Sequence, residues 1–160
     1  MKKIASKLLL AAVAAGAMGA AAQAQTTATS QFNAQITIQA QCVVSSPNTL
    51  DFGSTGLLNG NVDAQMNFTV ECTNGTAYTI AMNDGANAAG TQNRMANGGQ
   101  FVNYELYTDS NRTTVWDSTS TVSGTGTGDP ITHTVFGRVP AQTTPAPGTY
   151  TDTVTITVSY

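Results

Sequence analysis

The sequence predicts an all-β sandwich. Three observations carry this reading: apolar and polar residues alternate with a period of two in the clearest segments, turn-forming pairs separate those segments, and the composition favours strands. Only 9% of the 160 residues are charged, while 27 are threonine, and β-branched side chains fit a pleated surface.

The first element is not part of the sandwich. Lys2, Lys3 and Lys7 precede an apolar run from Leu8 to Ala17, and Ala22-Gln23-Ala24 supplies a small-x-small cleavage pattern. This is the layout of a secretory signal. A membrane-spanning helix needs about twenty apolar residues, and this run is shorter. Residues 1–24 are therefore expected to leave on export. The remaining chain holds Arg94, Arg112 and Arg138 against nine acids, a net charge of −6. A lysine-free, acidic, exported chain has no electrostatic reason to bind nucleic acid or anionic lipid.

Residues 32–40 give the cleanest alternation. Phe32, Ala34, Ile36, Ile38 and Ala40 fall on one face, and Asn33, Gln35, Thr37 and Gln39 on the other. The pattern predicts a strand with one buried face. Further strands are expected near 50–52, 67–72, 78–82, 101–107, 114–116 and 133–139. At the C-terminal end Val154, Ile156, Val158 and Tyr160 alternate with Thr153, Thr155, Thr157 and Ser159. Between the strands stand Asn74-Gly75, Asn83-Asp84-Gly85 and Asn97-Gly98-Gly99, pairs that supply the positive φ of tight turns. Residues 123–128, Ser-Gly-Thr-Gly-Thr-Gly, are expected to form a flexible loop. About seven or eight short strands in this length fit a sandwich of immunoglobulin-like size. The alternation at 32–40 fits two arrangements equally: pairing within its own domain, or completion of a neighbour's sheet.

Cys42 and Cys72 are the two cysteines. An exported chain with one pair most simply forms one disulfide, and closing a loop of that length contributes about 3–4 kcal/mol in the chain-entropy model. Two distant cysteines with the single histidine, His133, make no metal-ligand set. No cofactor is expected.

Catalytic patterns are missing. His133 sits within a predicted strand, no Gly-x-Ser-x-Gly elbow occurs, and the nine carboxylates are dispersed, several of them in turns. Gly124-x-Gly126-x-Gly128 lacks the helix and the Lys-Ser/Thr that a phosphate cradle requires. Trp116, Tyr104 and Tyr107 could stack on a sugar, but a lone tryptophan in a sandwich is typically core. The chain is not expected to be an enzyme. A secreted, monomeric carbohydrate-binding sandwich is the alternative to a structural role.

Several segments, in order, resemble the spore coat protein U domain, the subunit fold of archaic chaperone–usher pili. They are Cys42, Leu50-Asp51-Phe52-Gly53, Cys72-Thr73-Asn74-Gly75, Tyr78-x-Ile80-x-Met82, Arg94-Met95, the run 102–109, Thr114-Val115-Trp116, Phe136-Gly137-Arg138-Val139-Pro140-Ala141-Gln142 and the run 147–160. Asp117, where the family often has glycine, and Phe136, where it often has tyrosine, depart from the pattern without touching the strand logic.

The resemblance implies an incomplete immunoglobulin-like β-sandwich, lacking its final strand and completed by a donated N-terminal strand. Carried over, residues 25–41 form the donor extension and 42–160 the pilin domain. Phe32, Ala34, Ile36, Ile38 and Ala40 would be the donated face, and Val154, Ile156, Val158 and Tyr160 the acceptor strand. Burial of Phe32, Ile36 and Ile38 would contribute roughly 5–9 kcal/mol per junction. The implied partners are other pilin subunits, in a homopolymer or mixed fibre, a periplasmic chaperone and an outer-membrane usher. The implied location is the cell surface after export through the periplasm, with no stable membrane insertion, and the implied role is a pilus (fimbrium) stalk supporting adhesion and biofilm formation.

Overall fold

A computed structural model describes residues 25–45 and 47–160; the expected signal, residues 1–24, lies outside the described residues. The chain divides between Ile36 and Thr37, and the sandwich lies wholly within the unit Thr37–Tyr160. Its strands are β1 (Cys42–Val44), β2 (Val62–Cys72), β3 (Ala77–Met82), β4 (Asn93–Asn97), β5 (Gln100–Tyr107), β6 (Val122–Thr125), β7 (Ile131–Val139) and β8 (Ile156–Ser159). One sheet runs β1-β2-β7-β5-β4 and the other β6-β3-β8, with every pairing antiparallel.

Alternation places the core between the sheets. Along β2 the even-numbered residues point inward, and their burial deepens along the strand. Val62, Ala64 and Met66 are half-buried, whereas Phe68, Val70 and Cys72 are buried. Facing them from β3 are Tyr78, Ile80 and Met82, all buried. Trp116 lies in this core as expected, packed on Phe68 with ring centroids 6.1 Å apart. Its indole Nε1 donates to the Ile80 carbonyl at 3.1 Å, which satisfies the one polar atom that its burial would otherwise strand.

The disulfide joins Cys42 to Cys72. These two residues face each other in the β1–β2 register, so the bond holds a strand of only three residues to the sheet. The β4–β5 hairpin turns on Gly98 and Gly99, with φ of 55° and 84°, between the paired residues Asn97 and Gln100. Two consecutive positive φ values are what a two-residue type I′ turn demands, as Asn97-Gly98-Gly99 predicts.

The structure corrects three expected strands and one expected loop. Residues 32–40 form no strand, and all nine are exposed. Residues 50–52 join no sheet; instead Leu50 and Phe52 lie over Gly137 of β7, where a Cβ would come within 2.7 Å of Leu50 and 2.8 Å of Phe52. Residues 114–116 contribute a single bridge, Tyr107 to Val115. The expected flexible loop at 123–128 begins as β6, paired with β3 from Ala77 to Ile80. Its glycines serve close approach: a Cβ at Gly124 would sit 2.4 Å from the Tyr78 ring, and one at Gly126 within 2.6 Å of the Thr73 and Cys72 carbonyls. Main-chain bonds from Gly126 to Thr76 at 2.8 Å and from Gly128 to Cys72 at 3.1 Å hold this segment down.

Candidate functional site: an open groove beside the C-terminal strand

The run 151–159 is paired along one edge. Thr151 exchanges two main-chain hydrogen bonds with Ala96 of β4, at 2.9 and 3.2 Å, while Ala86 donates to the Thr153 carbonyl at 3.0 Å and Asn83 to that of Thr155 at 3.1 Å. Beyond these, β8 pairs with β3. The bonded residues alternate, as a strand requires, so the intervening residues direct their N–H and C=O groups to the opposite edge. Among the described residues Asp152 and Val154 make no main-chain hydrogen bond, and β8 has β3 as its single sheet neighbour.

The side chains beside this unpaired edge are apolar and only half covered. Val154, Ile156 and Val158 turn toward the core, sharing the face of Ile80 and Met82, yet each stays half-buried. Across from them the segment leaving β1 carries Leu50 and Phe52, also half-buried. Between the two runs lies a cleft of about 310 Å³, floored by Met66, Met82, Leu106 and Val135. A second cleft of about 650 Å³ shares Leu50, Phe52, Met95 and Tyr150 with the first. The core is thus open along one side, between the 154–158 run and the segment carrying Leu50 and Phe52.

Asp152 anchors the lip of the groove. One carboxylate oxygen accepts from the Asn87 main-chain N and from its Nδ2, both at 3.0 Å. The other accepts from the buried Tyr104 hydroxyl at 2.7 Å. Burial, with the Asp152 carboxylate next in importance, holds the Tyr104 hydroxyl far above the ordinary phenol range.

The expected site residues separate into two groups. Val154 and Ile156 line the groove, Val158 packs half-buried against the core further along β8, and Tyr160 lies beyond β8 and is 61% exposed. Phe32, Ile36 and Ile38 are 91%, 82% and 70% exposed, a density of large apolar surface that soluble chains seldom leave bare. The sequence reading missed Met66, Met82 and Met95 as groove residues. Their signal was present, because of the five methionines these are the three outside the expected leader, and each falls on an inward strand position.

Among the described residues His133, Asp63, Asp109 and Asp117 are engaged in the fold. His133 accepts or donates through Nε2 to the Tyr78 hydroxyl at 3.1 Å and stacks on Phe68, and burial lowers its pKa. Tyr104, Tyr107 and Trp116 are buried, so none offers a ring face to a sugar. Asp63 is held by Arg138 through two bonds of 2.7 and 2.8 Å. Asp109 and Asp117 accept main-chain N–H groups in their own turns. Among the described residues no three His, Cys, Asp or Glu side chains gather as a metal would need.

A two-sheet antiparallel sandwich with one open, apolar edge defines an incomplete immunoglobulin-like domain of the pilin kind. The model of the spore coat protein U domain matches residues 28–157, and the chain belongs to that family. Among solved structures, the chain is similar to one described as the CsuC-CsuE chaperone–tip adhesion subunit pre-assembly complex from archaic chaperone–usher Csu pili of Acinetobacter baumannii. The TM-score is 0.56 with 26% identity, over 78% of this chain and 40% of that one. The chain thus spans well under half the length of that relative. The P pilus rod subunit PapA shares the fold, with a TM-score of 0.51 and 16% identity over 74% of this chain and 98% of that one. Comparison with curated protein sequences returns no match.

Proposed function

We propose that the chain is a non-enzymatic structural subunit of a chaperone–usher surface pilus, and that it polymerises by donor-strand exchange. In this reading residues 1–24 direct export to the periplasm, residues 25–41 are the donor extension, and residues 42–160 form the domain that accepts a strand. The unpaired edge at 152–158 beside the half-covered groove is the observation that carries the proposal. An extended strand laid there would gain main-chain bonds along the edge and bury alternate side chains in the groove.

The exposed segment 32–40 has the matching properties. Its nine residues equal the nine of 151–159, each about 30 Å when extended. Its apolar face offers Phe32, Ala34, Ile36, Ile38 and Ala40, and its polar face would meet solvent. The relative from the Csu system was solved with a chaperone, which supports a periplasmic chaperone as the first occupant of the groove. Other subunits, in a homopolymer or a mixed fibre, are then the final partners, an outer-membrane usher the site of exchange, and surface adhesion and biofilm formation the role of the fibre.

Self-complementation tests the reading. A second copy of residues 25–41 is joined after Tyr160 through a flexible linker. Folding back into the groove converts a bimolecular contact into an intramolecular one. The result expected is a monomer with a raised Tm that no longer polymerises. An unchanged Tm with unchanged polymerisation would refute donor-strand exchange.

A further inference from the structure

We propose that the groove is an oxidation-sensitive site, in which Met66 and Met95 are converted to sulfoxides by peroxide-class oxidants only while the groove is empty, and in which that modification blocks strand acceptance. The inference rests on the donor-strand reading and adds a chemical state to it. Three observations support it. Met66, Met82 and Met95 all line the same cleft. Their positions differ in access: Met66 and Met95 are half-buried, whereas Met82, on β3 opposite Ile156 of β8, is 1% exposed. Apolar side chains, Leu50, Phe52, Leu106 and Ile156 among them, line the same cleft, with Tyr104, Tyr150 and Asp152 also along it.

Thioether oxidation follows exposure. The sulfur lone pair attacks one oxygen of hydrogen peroxide, an S–O bond forms as the O–O bond breaks, and the departing hydroxide leaves as water after proton transfer. Sulfur loses two electrons and the peroxide gains them. The product replaces a flexible apolar side chain with a polar one. At Met66 the new oxygen adds a strong acceptor to a cleft whose tyrosine hydroxyls are already committed, Tyr104 to Asp152 and Tyr150 to the Ala146 carbonyl. An inserted strand would then have to cover an unsatisfied acceptor, a cost that corresponds to about a tenfold loss of affinity or more. The same insertion covers Met66 and Met95 before oxidation, so assembly itself protects them.

The exported chain, isolated as the unassembled subunit, is treated with hydrogen peroxide with and without saturating synthetic peptide of residues 25–41. Peptide mass spectrometry then reads each methionine, and binding of the same peptide is measured before and after treatment. The proposal expects Met66 and Met95 to gain one oxygen several-fold faster than Met82, the peptide to suppress both, and the oxidised subunit to bind the peptide at least about tenfold more weakly. The Met66→Leu/Met95→Leu double variant, which conserves volume, is expected to keep its affinity through the same treatment. Oxidation of Met82 as fast as Met66 and Met95, oxidation unaffected by the peptide, or undiminished binding by the oxidised subunit would each overturn it. Failure of the untreated subunit to bind the peptide would instead overturn the donor-strand reading, and this inference with it.

Discussion

The Tyr104 hydroxyl donates to Asp152 Oδ2 at 2.7 Å, joining the centre of β5 to the chain that leads into β8. Asn87 occupies the other carboxylate oxygen from the loop after β3. One carboxylate thus ties three segments together at the lip of the groove. Gly85 completes the arrangement: its φ is +86°, and a Cβ there would come 1.8 Å from Asp152.

Asp152→Ala removes the acceptor and leaves the Tyr104 hydroxyl buried. A buried donor without a partner costs about 1–3 kcal/mol. Denaturant unfolding is expected to show a loss of that size, while the double variant Asp152→Ala/Tyr104→Phe recovers part of it. Equal losses in the single and double variants would show that the hydroxyl contributes nothing.

The exposed face of 32–40 gives a test that separates assembly from folding. Ile36→Asp or Ile38→Asp would bring an unpaired charge into an apolar groove, at a cost of several kcal/mol. Polymerisation is expected to fail while the exported subunit still accumulates, because these residues are 82% and 70% exposed in the isolated chain. Gln35→Asp and Gln39→Asp, on the opposite face, should polymerise nearly as well as the parent. Surface fibres at parental amounts from the isoleucine variants would contradict strand donation.

The glycine repeat at 124–128 predicts a stability effect rather than a binding effect. Gly126→Ala would force a methyl within 2.6 Å of two main-chain carbonyls, those of Thr73 and Cys72, and neither can move without disturbing β2 beside the disulfide. Overpacking of this kind costs typically about 1–3 kcal/mol. Thr127→Ala, between the same glycines, should change Tm little. Equal behaviour of the two variants in thermal unfolding would contradict the close packing of this segment.

Stability should fall with acid in two stages. Burial lowers the His133 pKa below its ordinary 6.5, so the folded chain resists a proton that the unfolded chain accepts. That contribution is present above pH 6.5 and is lost as pH falls through the folded value. Asp63, Asp109 and Asp117 are each held below the ordinary 3.8, Asp63 chiefly by Arg138 and the other two by main-chain N–H groups. Their contributions are present above pH 3.8 and are lost as pH falls through the lowered values. Tm measured from pH 8 to pH 2 should show both declines. His133→Gln should remove the first and keep the second; a single decline in the parent below pH 4 would contradict the first stage.

Much of the fold was legible because its strands are amphipathic. Alternation marked β3, β5, β7 and the end of β2, since their inward residues meet the core and their outward residues meet water. It did not mark β4, Asn93-Arg94-Met95-Ala96-Asn97, where pairing with β5 across a glycine turn and with Thr151 substitutes for an apolar stripe. Nor did it mark β1, three residues held by the Cys42–Cys72 bond, or β6, whose glycines look like a loop until Tyr78 is seen packed against them. At 50–52 the apolar residues were real but the strand was not: they cover Gly137 instead of joining a ladder.

Local pattern by itself determined that this is a cysteine-paired, all-β chain with one apolar stripe at 32–40 and another at 154–160, because alternation and composition depend only on neighbours along the chain. Which stripe would be covered was a tertiary matter. β3, β4 and the 83–86 loop satisfy one edge of the C-terminal run and leave the other bare, and no sequence window contains both sides of that edge. The methionine floor of the groove was decided in the same way, since Met66, Met82 and Met95 stand on three different strands and become one surface only when two sheets face each other.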